Sequence, residues 1–237
     1  LLGIPSVTIL NLYKVTIPRE RRFLTLARIA DGGILTIIGK TWTLGKMILI
    51  PDFPPPYTLS LGNLEIPPRR RRGVKLIGPI LPVRPDELPE KRVIREKMGF
   101  GEKPLIFVPI SGSADEKAYF SLQMRQLLGK VSEDYRVVMS LGRPDSPMEL
   151  VKEGNLSVYN WIPNRFDYFK ACDLIISRAG LGTISQAICY GKPLILIPTP
   201  SQTEQLNNAN RARELGVAKV LSQKDLEYKS LTSSIQE

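Results

Sequence analysis

The sequence predicts a doubly wound α/β domain, and three observations carry that expectation. From about residue 104 onward, strand-length apolar runs alternate with helical stretches at a steady cadence. The apolar runs are nearly continuous, as in parallel strands covered on both faces. Loops rich in Gly, Ser and Thr fall between a strand and the following helix, where open parallel sheets bind ligands.

In chain order, Pro104–Ile110 (PLIFVPI) reads as a buried strand and Asp115–Val131 as an amphipathic helix. Tyr135–Leu141 is the next strand, followed by a loop and a short helix around Pro147–Lys152. Leu156–Ile162, Asp173–Ser177, Pro193–Pro198 and Val217–Leu221 read as strands. The helices between them are Asn164–Ala171, Leu181–Tyr190 and Thr203–Leu215, and another starts after Lys224.

Residues 1–78 read differently. Pro5–Asn11, Gly33–Ile38, Met47–Ile50, Tyr57–Leu61 and Val74–Ile77 predict strands, with one helix near Glu20–Ala30. The opening Leu1-Leu2-Gly3-Ile4-Pro5 resembles a helix end with a C-cap glycine, so an upstream part of this unit is expected. Pro79–Pro89 reads as an interdomain linker leading into a helix at Glu90–Met98. The expected division is a partial N-terminal unit (1–78), a linker and hinge helix (79–98) and a C-terminal unit (99–237).

Composition excludes several chemistries. With no histidine among 237 residues, the chain holds no Ser-His-Asp or Cys-His machinery and no His-ligated metal. Cys172 and Cys189 lie in apolar helical contexts and read as core residues, which fits a reducing compartment. No apolar run is long enough for a transmembrane span.

The net charge of +10 is uneven: residues 1–100 carry 17 Lys/Arg against 8 Asp/Glu, and residues 101–237 carry 16 against 15. The peak is Arg69-Arg70-Arg71-Arg72. Two readings stand for it: a solvated basic loop, or a surface for an anionic partner such as a membrane or phosphorylated lipid. Nucleic acid is disfavoured because the C-terminal unit is near neutral and no recognition motif is present.

Three strand-to-helix loops carry candidate chemistry. Ile110-Ser111-Gly112-Ser113-Ala114 combines small residues with a helix start, which suits phosphate but is also common in plain turns. Ser177-Arg178-Ala179-Gly180-Leu181-Gly182-Thr183 adds a guanidinium and a hydroxyl to two glycines, which describes a diphosphate cradle. It has neither GxxxxGK[ST] nor GxGxxG spacing. The alternative there is a tight turn with Arg178 bonded to neighbouring carbonyls. In the third loop, Glu204 and Gln205 at a helix start suit bidentate contacts to sugar hydroxyls. Ser201 and Glu204 also have capping-box spacing, and the two roles are compatible. Trp161-Ile162, ending a strand nearby, reads either as core or as a shelf for a base.

The run DLIISRAGLGTISQAICYGKPLILIP…TEQLNNANRARELGVAKVL resembles the C-terminal domain of GT-B glycosyltransferases of family 28, most strongly over about residues 155–222. A weaker likeness covers 74–115, including VKLIGPILPVR. The resemblance implies a GT-B fold of two Rossmann-like doubly wound domains, the N-terminal one incomplete, with a nucleotide-sugar donor bound by the C-terminal one. Carried over by position, it implies diphosphate contacts at Ser113, Arg178, Gly180, Gly182 and Thr183. It implies base and ribose contacts at Arg84, Trp161, Ile162 and Gln186, and donor-sugar contacts at Glu204 and Gln205. Gln186 departs from the pattern, because that slot usually holds a ribose-binding glutamate; an amide still bonds a hydroxyl.

What the resemblance implies for function is a metal-independent, inverting transfer from a UDP-linked sugar to an acceptor hydroxyl, lipid-linked acceptors included. No DxD motif is present, and no cofactor is implied. The catalytic base would lie in a histidine-bearing glycine loop upstream of Leu1. Localisation would be cytoplasmic, peripheral on the inner membrane face where the basic run meets anionic lipid. Two alternatives stand: a donor-binding subunit completed by a partner chain, and a sugar-nucleotide 2-epimerase, which the absence of histidine disfavours.

Overall fold

A computed structural model of the chain describes residues 6–10, 47–64, 66, 68–147, 150–200 and 202–236. The expected helix near Glu20–Ala30, the strand Gly33–Ile38 and the helix end at Leu1–Gly3 lie outside these residues.

The larger sheet has seven strands, numbered here with the whole chain: β4 (Leu105–Pro109), β5 (Arg136–Ser140), β6 (Leu150–Glu153), β7 (Leu156–Tyr159), β8 (Leu174–Ser177), β9 (Leu194–Leu196) and β10 (Ala218–Val220). Their spatial order is β10-β9-β8-β4-β5-β7-β6, parallel throughout except for β6, which runs antiparallel to β7. Described helices are α1 (Lys91–Met98), α2 (Ala114–Leu128), α3 (Arg165–Ala171), α4 (Leu181–Cys189), α5 (Thr203–Glu214) and α6 (Tyr228–Gln236).

Side chains of the central strands alternate between two cores, which is why their sequences are apolar without a break. Leu105 and Phe107 of β4, Ile175 of β8 and Leu194 and Leu196 of β9 join the core under α3, α4 and α5. Ile106, Val108, Ile176 and Ile195 face the other way, onto Phe120, Met124 and Leu128 of α2 and Leu231 of α6. Phe107, Phe120 and Phe169 are wholly buried, each contributing about 2–3 kcal/mol through surface removed from water.

The topology distinguishes one edge of the sheet. From central β4 the chain passes through α2 to β5 on one side, whereas from adjacent β8 it passes through α4 to β9 on the other. The carboxyl ends of β4 and β8 are therefore a topological switch point, the place where open α/β sheets bind ligands. Gly142, with φ +66°, lets the loop after β5 press against this edge; a Cβ there would lie 2.4 Å from the Ile110 carbonyl oxygen.

A smaller parallel sheet joins β1 (Val7–Ile9), β2 (Met47–Ile50) and β3 (Val74–Leu76) around Ile48, Ile50 and Leu64. Two expectations are corrected. Tyr57–Leu61 is not a strand but turn and bend running into a 3-10 turn at Leu61–Asn63. The Asp52 carboxylate takes the N–H groups of Phe53, Leu59 and Ser60 and the Ser60 hydroxyl, so those donors are withdrawn from any ladder. The expected helix at Pro147–Lys152 is replaced, where residues are described, by the edge strand β6, whose four residues are exposed.

The 52–63 loop also crosses the expected boundary at residue 78. Leu59 is wholly buried in the core under α4 and α5. Arg211 of α5 donates through Nε to the Thr58 carbonyl at 3.1 Å and also bonds the Pro56 carbonyl.

Candidate functional site

Each of the three loops singled out in the sequence leaves a strand at the same edge. Ser113 caps α2, and its N–H donates to Glu116 Oε2 at 3.3 Å. The Glu116 carboxylate reaches across to the third loop, accepting from Gln202 Nε2 at 2.8 Å. That loop is braced from within, because Gln205 Oε1 accepts the Thr199 N–H at 2.9 Å and Gln205 Nε2 donates to Gln202 Oε1. Helix α5 has Gln202 as its N-cap rather than Ser201, which lies outside the described residues, so the capping box falls at Ser113 and Glu116.

Arg178 has the carbonyl-bonded arrangement. Its side chain is nearly sealed off, with the residue 3% exposed. Nη1 donates to the Ile197 carbonyl at 3.1 Å and to Gln223 Oε1 at 2.6 Å, while the guanidinium carbon sits 3.8 Å from the Phe120 ring centroid. Burial lowers its pKa to about 10, opposed by the charge of Glu116, so it stays cationic at neutral pH. Arg178 thus ties the end of β8 to the end of β9 and to Gln223, and holds a buried positive charge beside Phe120.

Gly180 caps α4 with φ −71° and Gly182 lies within the first turn. The N–H groups of Leu181, Gly182 and Thr183 precede the first intrahelical bond, which runs from Ile184 N to Gly180 O at 3.2 Å. Neither glycine needs a left-handed backbone, and a Cβ on either would meet no atom within 4 Å. Their missing side chains leave room over the positive end of a helix.

Glu204, half-buried at the start of α5, has its pKa raised by burial, with a hydrogen bond from Asn208 opposing the rise. Asn208 is wholly buried, donating to the Ala179 carbonyl at 3.3 Å and accepting from Asn63 Nδ2 at 3.1 Å. Asn63 Oδ1 in turn accepts from Asn207 at 2.9 Å. The sequence offered a signal for this amide cluster, the Asn207-Asn208 pair, but nothing to show that Asn63 completes it.

Trp161, Ile162 and Gln186 lie on the loop before α3 and on α4. Ile162 is buried in the core and Trp161 is half-buried, just before α3 begins at Arg165. Gln186 Oε1 accepts from Arg165 Nη2 at 3.3 Å. One helical turn beyond Gln186, the Tyr190 hydroxyl donates to the Val83 carbonyl at 2.8 Å, which brings the linker alongside. Arg84 itself is turned onto its own segment, paired with Asp86 at 3.1 Å and Glu87 at 3.4 Å, its side chain 62% exposed. The structure therefore sets Arg165 against Gln186, packs Ile162 into the core that α4 covers, and leaves the Arg84 charge engaged on its own segment.

Two cavities, of about 630 and 440 Å³, open at the opposite edge of the sheet beside Pro104 and Asp173. The larger is lined by Lys91, Arg95 and Asp173, which form an ion-paired joint between α1 and the start of β8. Neither cavity includes a residue of the three loops.

Residues 105–237 match the glycosyltransferase family 28 C-terminal domain. The chain belongs to that family. An uncharacterized glycosyltransferase of Methanopyrus kandleri is 25% identical over 240 residues, covering all of this chain and 63% of the relative. The UDP-N-acetylglucosamine–N-acetylmuramyl-(pentapeptide) pyrophosphoryl-undecaprenol N-acetylglucosamine transferase of Thermosipho africanus is 30% identical over 145 residues, covering 60% of this chain and 41% of the relative.

Among solved structures, the glycotransferase of kitacinnamycin superposes with a TM-score of 0.66 at 18% identity, over 99% of this chain and 62% of that one. Acinetobacter baumannii MurG superposes with a TM-score of 0.55 at 18% identity, over 99% of this chain and 57% of that one. These likenesses place the family 28 chain in the GT-B fold. It spans less than two thirds of the length of each of these relatives.

Proposed function

We propose that this family 28 chain binds the nucleotide-sugar donor of a glycosyl transfer, with UDP as the nucleotide and the 99–237 unit as the donor-binding part. The observation that carries the reading is the space kept over α4 by Gly180 and Gly182. No backbone strain and no protein neighbour requires glycine at either position. An occupant that approaches the backbone closely does, and free helix N–H groups select an anionic one.

In this reading the diphosphate lies on the N–H groups of α4, with Thr183 and Ser113 as hydroxyl partners and Arg178 supplying charge. Trp161, Ile162 and Gln186 hold the base and ribose, and Glu204 and Gln205 the sugar hydroxyls. During transfer the bond from the anomeric carbon to the diphosphate breaks as the acceptor oxygen attacks from the opposite face. The negative charge left on the nucleoside diphosphate is what the oriented N–H groups and Arg178 stabilise. The 237 residues contain no histidine, so a histidine base for the acceptor would come from outside them. The 1–78 unit is placed on the acceptor side, with 79–98 as linker, and a lipid-linked acceptor at an anionic membrane fits the basic run.

Calorimetry with UDP and UDP-sugars tests this. Saturable binding, weakened strongly in Arg178→Ala at a temperature where that variant remains folded, is the expected result. Absence of nucleotide binding in the intact chain overturns the reading.

A further inference from the structure

Arg165 carries a charge that the fold leaves unanswered. It is the first residue of α3, reached directly from the Trp161-Ile162 loop, and it is half-buried. Its Nη2 donates to Gln186 Oε1 at 3.3 Å, and its guanidinium carbon lies 5.0 Å from the centroid of the Phe166 ring. That ring is itself fixed, tilted against Phe169 at 5.9 Å and stacked on Tyr190 at 6.0 Å. Among the described residues no carboxylate comes within ion-pair distance, since Glu87 is taken by Arg84 and Asp167 by Asn164. Burial accordingly lowers the Arg165 pKa, with no compensating neighbour. Partly desolvated cations in folded proteins are normally paired.

The Gln186 side chain sharpens the point. With its carbonyl oxygen accepting from Arg165, the remaining group is the NH₂ donor. A carboxylate at position 186 would form an ion pair with Arg165 and cancel its charge. The amide keeps the charge available and turns the pair into a surface of N–H donors alone.

We propose that Arg165, oriented by Gln186 and the Phe166 ring, is a donor-contacting residue that recognises an oxygen acceptor of the bound nucleotide, either a base carbonyl or a phosphate oxygen. This rests on the nucleotide-binding reading above and adds to it a second arginine, on the opposite flank of α4 from Arg178. Arg178 is enclosed by Ile197, Gln223 and Phe120, whereas Arg165 stands beside the residues assigned to the base and ribose.

The test is calorimetric titration of the full chain with uridine, UMP and UDP, for the wild type and for Arg165→Ala and Arg165→Lys, with thermal melts of each. Loss of one charge-assisted contact lowers affinity by about tenfold or more. Arg165→Ala is expected to show that loss, and Arg165→Lys a partial recovery, because the point charge remains while the planar fork is gone. A deficit already present with uridine places the contact on the base or ribose; one that emerges only with UMP or UDP places it on phosphate. Wild-type binding with Arg165→Ala within twofold of it for all three ligands overturns this inference alone. Absence of binding in the wild type overturns it together with the donor-binding reading.

Discussion

Asn208 donates to the Ala179 carbonyl at 3.3 Å, tying the helix that carries Glu204 to the loop that carries Gly180 and Gly182. The same amide accepts from Asn63, so a residue from the 52–63 loop completes the connection. Replacing Asn208 by Ala would leave the Asn63 amide and the Ala179 carbonyl without these partners in a sealed interior. The expected cost is about 2–3 kcal/mol in urea unfolding, with a loss of the same order for Asn63→Ala, which is also buried and bonded to Asn207 and Asn208. Donor affinity should fall in both variants, because two loops then move independently. A stability unchanged in Asn208→Ala would contradict the buried bonding.

Gly182 gives a prediction with opposite signs. A methyl group there meets nothing in the protein and sits inside a helix, where alanine is favoured over glycine by up to about 1 kcal/mol. Gly182→Ala should therefore raise the melting temperature slightly. The same methyl occupies space assigned to the diphosphate and should lower UDP affinity by roughly tenfold, about 1.4 kcal/mol. A glycine kept for folding would give the reverse pattern.

The larger sheet was legible because its central strands are buried on both faces: Leu105–Pro109 and Leu194–Leu196 are apolar at every position. The elements misread are those where burial and pattern part company. β6 has four exposed residues and no periodicity to read. The Tyr57–Leu61 segment contains a fully buried Leu59, which mimics a strand, yet its geometry is set by the Asp52 carboxylate. The three loops were visible from their small residues. Arg165 was not, since an arginine before an aromatic residue at a helix start looks like a solvated face until Gln186 is seen beside it.

Asp173 joins α1 to the sheet and gives a pH-dependent prediction. Its carboxylate accepts from Lys91, from Arg95 Nη1 at 3.0 Å and from the Leu105 N–H at 2.7 Å. Burial opposes its charge, but these hydrogen bonds together outweigh burial and hold its pKa below the usual carboxylate range. A depressed folded pKa means stability present at neutral pH and lost as pH falls through that lowered value. Asp173→Asn should cost about 1–2 kcal/mol at pH 7, the joint being partly open to solvent. The gap between variant and wild type should narrow on acidification below the ordinary carboxylate range. Chemical denaturation across that pH series measures it, and a constant gap would assign the loss to packing instead.

The arginine run supplies the last prediction. Among described residues no helix is long and apolar enough to cross a membrane. The run lies on a 3-10 turn at Pro68–Gly73 leading directly into β3, where Arg71 and Arg72 are exposed; the side chains of Arg69 and Arg70 are outside the described residues. Each basic residue near an anionic bilayer contributes about 1 kcal/mol, roughly fivefold in binding, and the attraction decays within a Debye length. Changing Arg69, Arg70, Arg71 and Arg72 to Gln should weaken co-sedimentation with phosphatidylserine-containing vesicles by about a hundredfold or more. Neutral vesicles should show no difference, and added salt should erase the wild-type advantage. UDP affinity in solution should be unaffected, because the arginines are assigned to the anionic surface and not to the donor loops. Equal vesicle binding by variant and wild type would leave the run as a solvated turn and remove the anionic surface from the proposed function.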